Sequence, residues 1–258
     1  MSFPGIRSTW LACGFALCCS IFGGAWSFTG SLSAAQNDDT EIALTLATML
    51  SAARTVISSN QDLINDPDIA DKGLTGDVVV ARAMAIFRKQ TGTDPAALDA
   101  NTRRGRLLNA QMEAIAEVVD AHQDVINAPG VGFKGFVPAV FGRLVNEAFE
   151  KKMGHEVHVK VTAPPELIRN RKARPDRWET EIIKTKLLSE DWPRKQPFST
   201  MVEKNGRDAF RIMVPEYYTA GCLTCHGEPR GEIDITGYPK EGGSLGDLGG
   251  AISITLFH

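Results

Sequence analysis

The side chains and spacing of Cys222-Leu223-Thr224-Cys225-His226 specify a chemistry. Two thiols three positions apart on a turn can each add to one vinyl group of a porphyrin, and the adjacent imidazole is then held beneath the iron. The run is thus the attachment pattern of c-type haem, with Cys222 and Cys225 as covalent anchors and His226 as proximal ligand. Tyr217 and Tyr218 before it, and Gly227 and Pro229 after it, suit a tight turn against a flat aromatic cofactor. A redox-active dithiol shares the Cys-x-x-Cys spacing, but it usually opens a helix after a strand in a βαβ setting, and neither that setting nor a helical pattern is read here. Half a zinc site would need a second ligand pair. The other cysteines, Cys13, Cys18 and Cys19, all precede residue 36, which leaves one covalent haem c as the expected cofactor.

The elements that must position this run begin after a distinct leader. Arg7 is the only charge before Asp38, and an apolar stretch from Trp10 to Phe28 follows it, the pattern of an export signal. Small residues at Ser33 and Ala35 place cleavage before Gln36, so residues 1–35 read as a signal peptide and 36–258 as the mature chain in the periplasm or another extracytoplasmic space. An uncleaved anchor is the rival, although Gly14, Gly23, Gly24, Ser20 and Ser27 dilute a stretch that needs about 20 apolar residues to span a bilayer. No later segment reads as apolar enough to do so. Cys18 and Cys19 lack a lipoprotein cleavage context, and the mature chain has no spare pair for a structural disulfide.

With 28 basic and 31 acidic residues, a formal charge of -3 gives no electrostatic reason for nucleic acid or an anionic membrane as partner. A membrane enters only if the leader stays uncleaved. The hydrophobic share of 43% is enough for one core, so 36–258 is expected to be a single domain.

Helical spacing of Ile42, Leu46, Met49, Ala53, Val56 and Leu63 predicts a long amphipathic helix over 38–65. Further helices are expected over 77–90, stopped by Gly92, over 104–127 with Leu108, Met112, Ile115, Val119, His122 and Ile126 on one stripe, and over 137–153, stopped by Gly154. The period then changes. Val157, Val159 and Val161 alternate with polar residues, as do Phe210, Ile212 and Val214, and later Ile252, Ile254 and Leu256. Residues 198–202 should pair with the strand after Gly206, and 178–188 could be helix or strand. A helical part (36–153) followed by an antiparallel sheet (154–258) gives an α+β class.

The sequence resembles the c-haem-binding, PAS-like domain family found as stand-alone monohaem proteins of cyanobacteria and proteobacteria and as extracytoplasmic sensor domains. The resemblance covers nearly all of the mature chain. It is carried by Val214-Pro215-Glu216-Tyr217-Tyr218, the haem motif, Gly227-Glu228-Pro229, Asp234-Ile235-Thr236-Gly237-Tyr238-Pro239 and Gly246-Asp247-Leu248-Gly249-Gly250-Ala251. Upstream, Lys134-Gly135-Phe136, Pro138-Ala139-Val140-Phe141 and 169–176 are similar as well. It implies a PAS-like sheet holding the haem, with long N-terminal helices against it. In the cyanobacterial type the sixth iron position is taken by a cysteine thiolate. No mature cysteine is free for that here, so an open or water-held position is expected, with Met49 and His122, both on inward helical stripes, as alternative ligands and core packing as their other role.

Arg169, Arg171, Lys172, Arg174 and Arg177 read as a solvated loop, with propionate neutralisation or docking of an acidic partner as the sharper role. Arg211 would lie beside the motif as a propionate partner if the PAS-like pairing holds. The glycine-rich stretch 242–250 lacks the Lys-Ser/Thr ending of a phosphate loop and suggests close backbone approach, to the haem edge among other things. His158 and His258 are expected at the surface, and His155 either inward or exposed. Electron transfer with a redox partner protein is the leading function. The alternative is a sensor of redox state or a small gaseous ligand, working through a separate signalling partner because no output domain follows 258. A haem enzyme is the third reading, without a recognisable acid-base pair.

Overall fold

The computed structural model describes residues 34–258. All but the last two residues of the expected leader, including Arg7 and its three cysteines, lie outside the described residues.

Helix α1 (Ala34–Ser59) buries Ile42, Leu46, Met49, Leu50, Ala53, Val56 and Ile57, residues three and four apart that fall on one face. By length and composition this helix could cross a membrane, which corrects the expectation that no segment after the leader could. Most of its apolar window is packed inside the protein, as in the core helix of a globular fold. The predicted first helix also breaks at Asn60 before a short α2 (Gln61–Asn65). In α3 (Gly76–Thr91) the Thr75 hydroxyl accepts from the Val78 N–H at the start, and Gly92, at φ 72°, closes the end. Helix α4 (Arg103–Asp120) is capped in the same way by Thr102. The predicted third helix is likewise two pieces, because the chain turns at His122 before α5 (Gln123–Ile126). Helix α6 (Pro138–Met153) begins on proline, whose missing N–H is no loss there.

Strands β1 (Val157–Thr162), β2 (Phe198–Lys204), β3 (Arg207–Tyr217) and β4 (Leu248–Phe257) form one antiparallel sheet in the order β1-β4-β3-β2. Asn205 and Gly206, both at positive φ, supply the two-residue turn between β2 and β3. One sheet face, with Val157, Val159, Phe210, Ile212, Ile252, Ile254 and Leu256, joins the core of the helical layer. The opposite face holds Met213 and Ala251 against Ile182, Ile183 and Leu187, which come from α7 (Arg177–Ile182) and the π-turn that continues it. Residues 178–188 are therefore mainly helical, started by a capping box between Asp176 and Glu179. The class is α+β, as expected, with the sheet covered on both faces.

Candidate functional site

The motif lies just beyond β3. After Tyr217 the chain passes Thr219 and forms α8 (Ala220–His226), a seven-residue helix where a tight turn was expected. The run therefore does follow a strand as a helix, contrary to the sequence reading. The sheet is nonetheless antiparallel, and α8 stops at His226, where the Gly227 N–H donates to the Leu223 carbonyl at 2.9 Å. A Cβ on Gly227 would stand 2.6 Å from that carbonyl oxygen, so glycine permits the stop. None of the residues of α8 is buried, and Cys222 and Cys225 are free thiols at intermediate exposure, one turn apart. Thr219 Oγ1 stands 3.3 Å from Cys222 Sγ. Gly221 approaches Ser58 of α1, and one turn earlier Arg54 grips Glu216 through Nη1 at 2.7 and 2.6 Å. The motif is thus seated against the C-terminal end of α1.

His226 is fixed on two sides. The Tyr218 ring stacks on it at 5.2 Å between centroids and 18° between planes. Its Nδ1 lies 2.8 Å from Glu241 Oε2. Glu241 in turn accepts from Arg169 Nε at 2.8 Å and Nη2 at 3.0 Å. Arg169 also donates to Asp234 Oδ2 at 2.6 Å and to the Cys225 carbonyl at 2.9 Å. The contact turns Nδ1 toward the carboxylate, so Nε2 is the ring nitrogen left to face a metal.

Burial alone would raise the Glu241 carboxyl, but the bonds from Arg169 and His226 hold it below the usual carboxylate range. Burial opposes ionisation of Asp234 as well. There the Thr236 hydroxyl, Arg169 and the Tyr238 and Thr236 N–H groups outweigh it and depress the group strongly. Burial, then the charge of Asp234, pushes the Cys225 thiol up. The Tyr218 hydroxyl, desolvated and close to Glu241, is pushed up to about 12.

Several expectations are corrected here. Arg169 is not a solvated loop residue but the centre of this ion network, whereas Arg171, Lys172, Arg174 and Arg177 are exposed. Arg211 is buried on the α7 face of the sheet. It is bound to Asp176 at 2.8 Å and Glu179 at 3.3 Å and stacked on Trp178 at 4.1 Å, so it is spent on α7 and not on the motif. The glycines approach Tyr218: a Cβ on Gly243 or Gly249 would fall 2.6 or 2.4 Å from its ring. Met49 is fully buried in the helical core. His122 packs on Phe136 at 5.4 Å, with Nδ1 2.7 Å from the Val118 carbonyl. Neither has a hydrogen bond or ring contact with the motif among the described residues. His155 is exposed, His158 pairs with Glu150, and His258 reaches Asp39 at 3.0 Å. Sequence reasoning missed Glu241 and Asp234. Asp234 had a signal, since an aspartate two residues before Thr236 favours an Asx turn. Glu241 had none, because a loop of unpredictable path brings it back.

These residues fit a c-type haem. Two part-exposed thiols and an imidazole held through Nδ1 stand on one short helix. Ile233 and Ile235, 62% and 59% exposed, flank the aspartate beside Cys225 and offer apolar surface for a flat ring to cover. No group of three or more His, Cys, Asp or Glu that could hold a bare metal ion occurs among the described residues. The chain matches the Tll0287-like family over residues 32–256. It belongs to the Tll0287-like family. Members are c-haem-binding PAS-like domains, and the match takes in the whole described fold except its last two residues, Phe257 and His258. No curated protein matches the chain, and no solved structure does.

Proposed function

We propose that this member of the Tll0287-like family carries one haem c, attached through Cys222 and Cys225 with Nε2 of His226 on the iron, and transfers electrons outside the cytoplasm. The observation that carries the reading is α8 itself: both thiols part-exposed one turn apart, and an imidazole whose Nδ1 is already held by Glu241. When bound, haem supplies a one-electron couple at its iron. The chain anchors it through the thiols, fixes the imidazole plane by the Tyr218 stack and ties the anchoring helix down through the Arg169 bond to the Cys225 carbonyl.

The sixth iron position is open or water-held in this reading. Burial of Met49 in the helical core and the packing of His122 on Phe136, neither of them touching the motif by a hydrogen bond or ring contact among the described residues, support that choice over either side chain. The PAS-like fold favours a second reading, a sensor of redox state or of a small gas with a separate signalling partner.

The test uses the full chain expressed with export and c-type maturation. The denatured protein should retain haem through solvent extraction, the Cys222→Ala, Cys225→Ala double variant should lose it, and mass spectrometry should find an N-terminus near Gln36. Haem that extracts freely from the unaltered protein overturns the attachment, and an intact Met1 in the membrane fraction overturns the cleaved leader. Fast, reversible reduction by a cytochrome partner supports the carrier, whether or not the open position takes carbon monoxide. A change in conformation or in partner affinity when nitric oxide or carbon monoxide binds supports the sensor.

A further inference from the structure

Glu241 reaches His226 because the loop after α8 returns to it. The Gly243 N–H donates to the His226 carbonyl at 2.7 Å and the Gly242 N–H to the Gly227 carbonyl at 3.2 Å, so the residue between Lys240 and Gly242 is pinned against the end of the motif helix. Gly242 sits at φ 77°, where a side chain would be strained and would also meet Arg230 and Glu228. The carboxylate has little freedom once there, since the Arg169 guanidinium holds both of its oxygens.

Charge does not balance in this group. Arg169 brings one positive charge to two carboxylates, Glu241 and Asp234, the second fully buried at its side chain. One negative charge is left over among these three side chains, and Glu241, the carboxylate nearest the histidine, stands 2.8 Å from its Nδ1 as a hydrogen-bond acceptor. A ligating imidazole that donates to a carboxylate is more basic and more firmly oriented than one that donates to water. Residual negative charge near a metal favours its more oxidised state.

Resting on the haem reading above, we infer that Glu241 is a positioning residue: it fixes His226 with Nε2 toward the iron, and the uncompensated charge it shares with Arg169 and Asp234 biases the bound haem toward its oxidised form.

The experiment compares the haem-loaded full chain with Glu241→Gln and Glu241→Asp. Glu241→Gln keeps the shape and an acceptor but removes the charge. At a fixed solution potential its reduced-to-oxidised ratio should rise about tenfold, equivalent to about 59 mV for one electron. Its iron–histidine stretching vibration in resonance Raman spectra should move to lower frequency. Glu241→Asp should recover part of both shifts. A midpoint within threefold of the parent, with haem retained and the vibration unmoved, overturns the inference. Should Glu241→Gln fail to load haem, Asp234→Asn decides: with Glu241 intact it should still raise the reduced fraction, and an unchanged midpoint overturns the charge argument. Extractable haem in the unaltered chain would instead strike at the haem reading, so the two failures are separable.

Discussion

Replacing Gly249 with alanine places a methyl carbon 2.4 Å from Cε1 and 2.6 Å from Cδ1 of Tyr218. Carbon atoms in contact prefer about 3.5–4.0 Å, so the ring must retreat by about 1 Å. It has nowhere to go, because its other edge faces the backbone of Gly243, where an added carbon would lie 2.6 Å from Cε2, and His226 is stacked on it. Overpacking of this kind costs about 1–3 kcal/mol, and the two close atoms together with the blocked retreat put Gly249→Ala at about 2 kcal/mol. For a chain of this size that is a fall of about 4–8 °C in melting temperature. Thermal unfolding followed by circular dichroism measures it directly. The coupling should also be visible: in a Tyr218→Ala background the alanine at 249 has room, so the double variant should unfold close to Tyr218→Ala alone, a non-additivity of about 2 kcal/mol. An unchanged melting temperature in Gly249→Ala, or strictly additive effects, would refute the clash.

Glu179→Gln should destabilise by about 3 kcal/mol or more in denaturant titration, since it leaves Lys160 and Arg211 without their buried carboxylate, Glu179 being 1% exposed at its side chain. Asp234, depressed in the folded state, contributes stability that is present above its unfolded value of about 3.9 and is lost as pH falls below it. Acid titrations should therefore show the gap between parent and Asp234→Asn shrinking below about pH 4, whereas a gap that widens on acidification would reverse the assignment.

What the sequence makes legible follows from the range of each interaction. Gly92 fixes the end of α3 to within a residue because capping is local. The valines of β1 and the break at Gly206 identify their strands for the same reason. The stripe through Val119, His122 and Ile126 remains regular across a real break, so periodicity alone runs α4 into α5. At the site, the three motif residues are adjacent and visible. Their supports are not: Glu241 lies 15 residues from His226, and Arg169 lies 72 from Glu241. An arginine in a basic run looks solvated until the partner carboxylates are known to surround it. Arg211 shows the converse, since position along β3 gives its face, but only the placement of α7 shows what covers that face.

The strand order has a temporal meaning. β4 lies between β1 and β3 and pairs with both, yet it follows α8 in the chain. A polypeptide delivered from its N-terminus onward therefore presents Cys222 and Cys225 before the strand that unites the sheet has arrived. Until β4 is in place, β1 has no neighbour to join it to the β2–β3 hairpin, and the Tyr218 N–H has no Asp247 carbonyl to receive it. Pairing between segments so far apart in sequence is slow in any case. The topology thus leaves an interval in which the thiols are presented on an unfinished fold, and a modification made in that interval precedes the arrival of Glu241 and Gly243 at His226 and of β4 in the sheet.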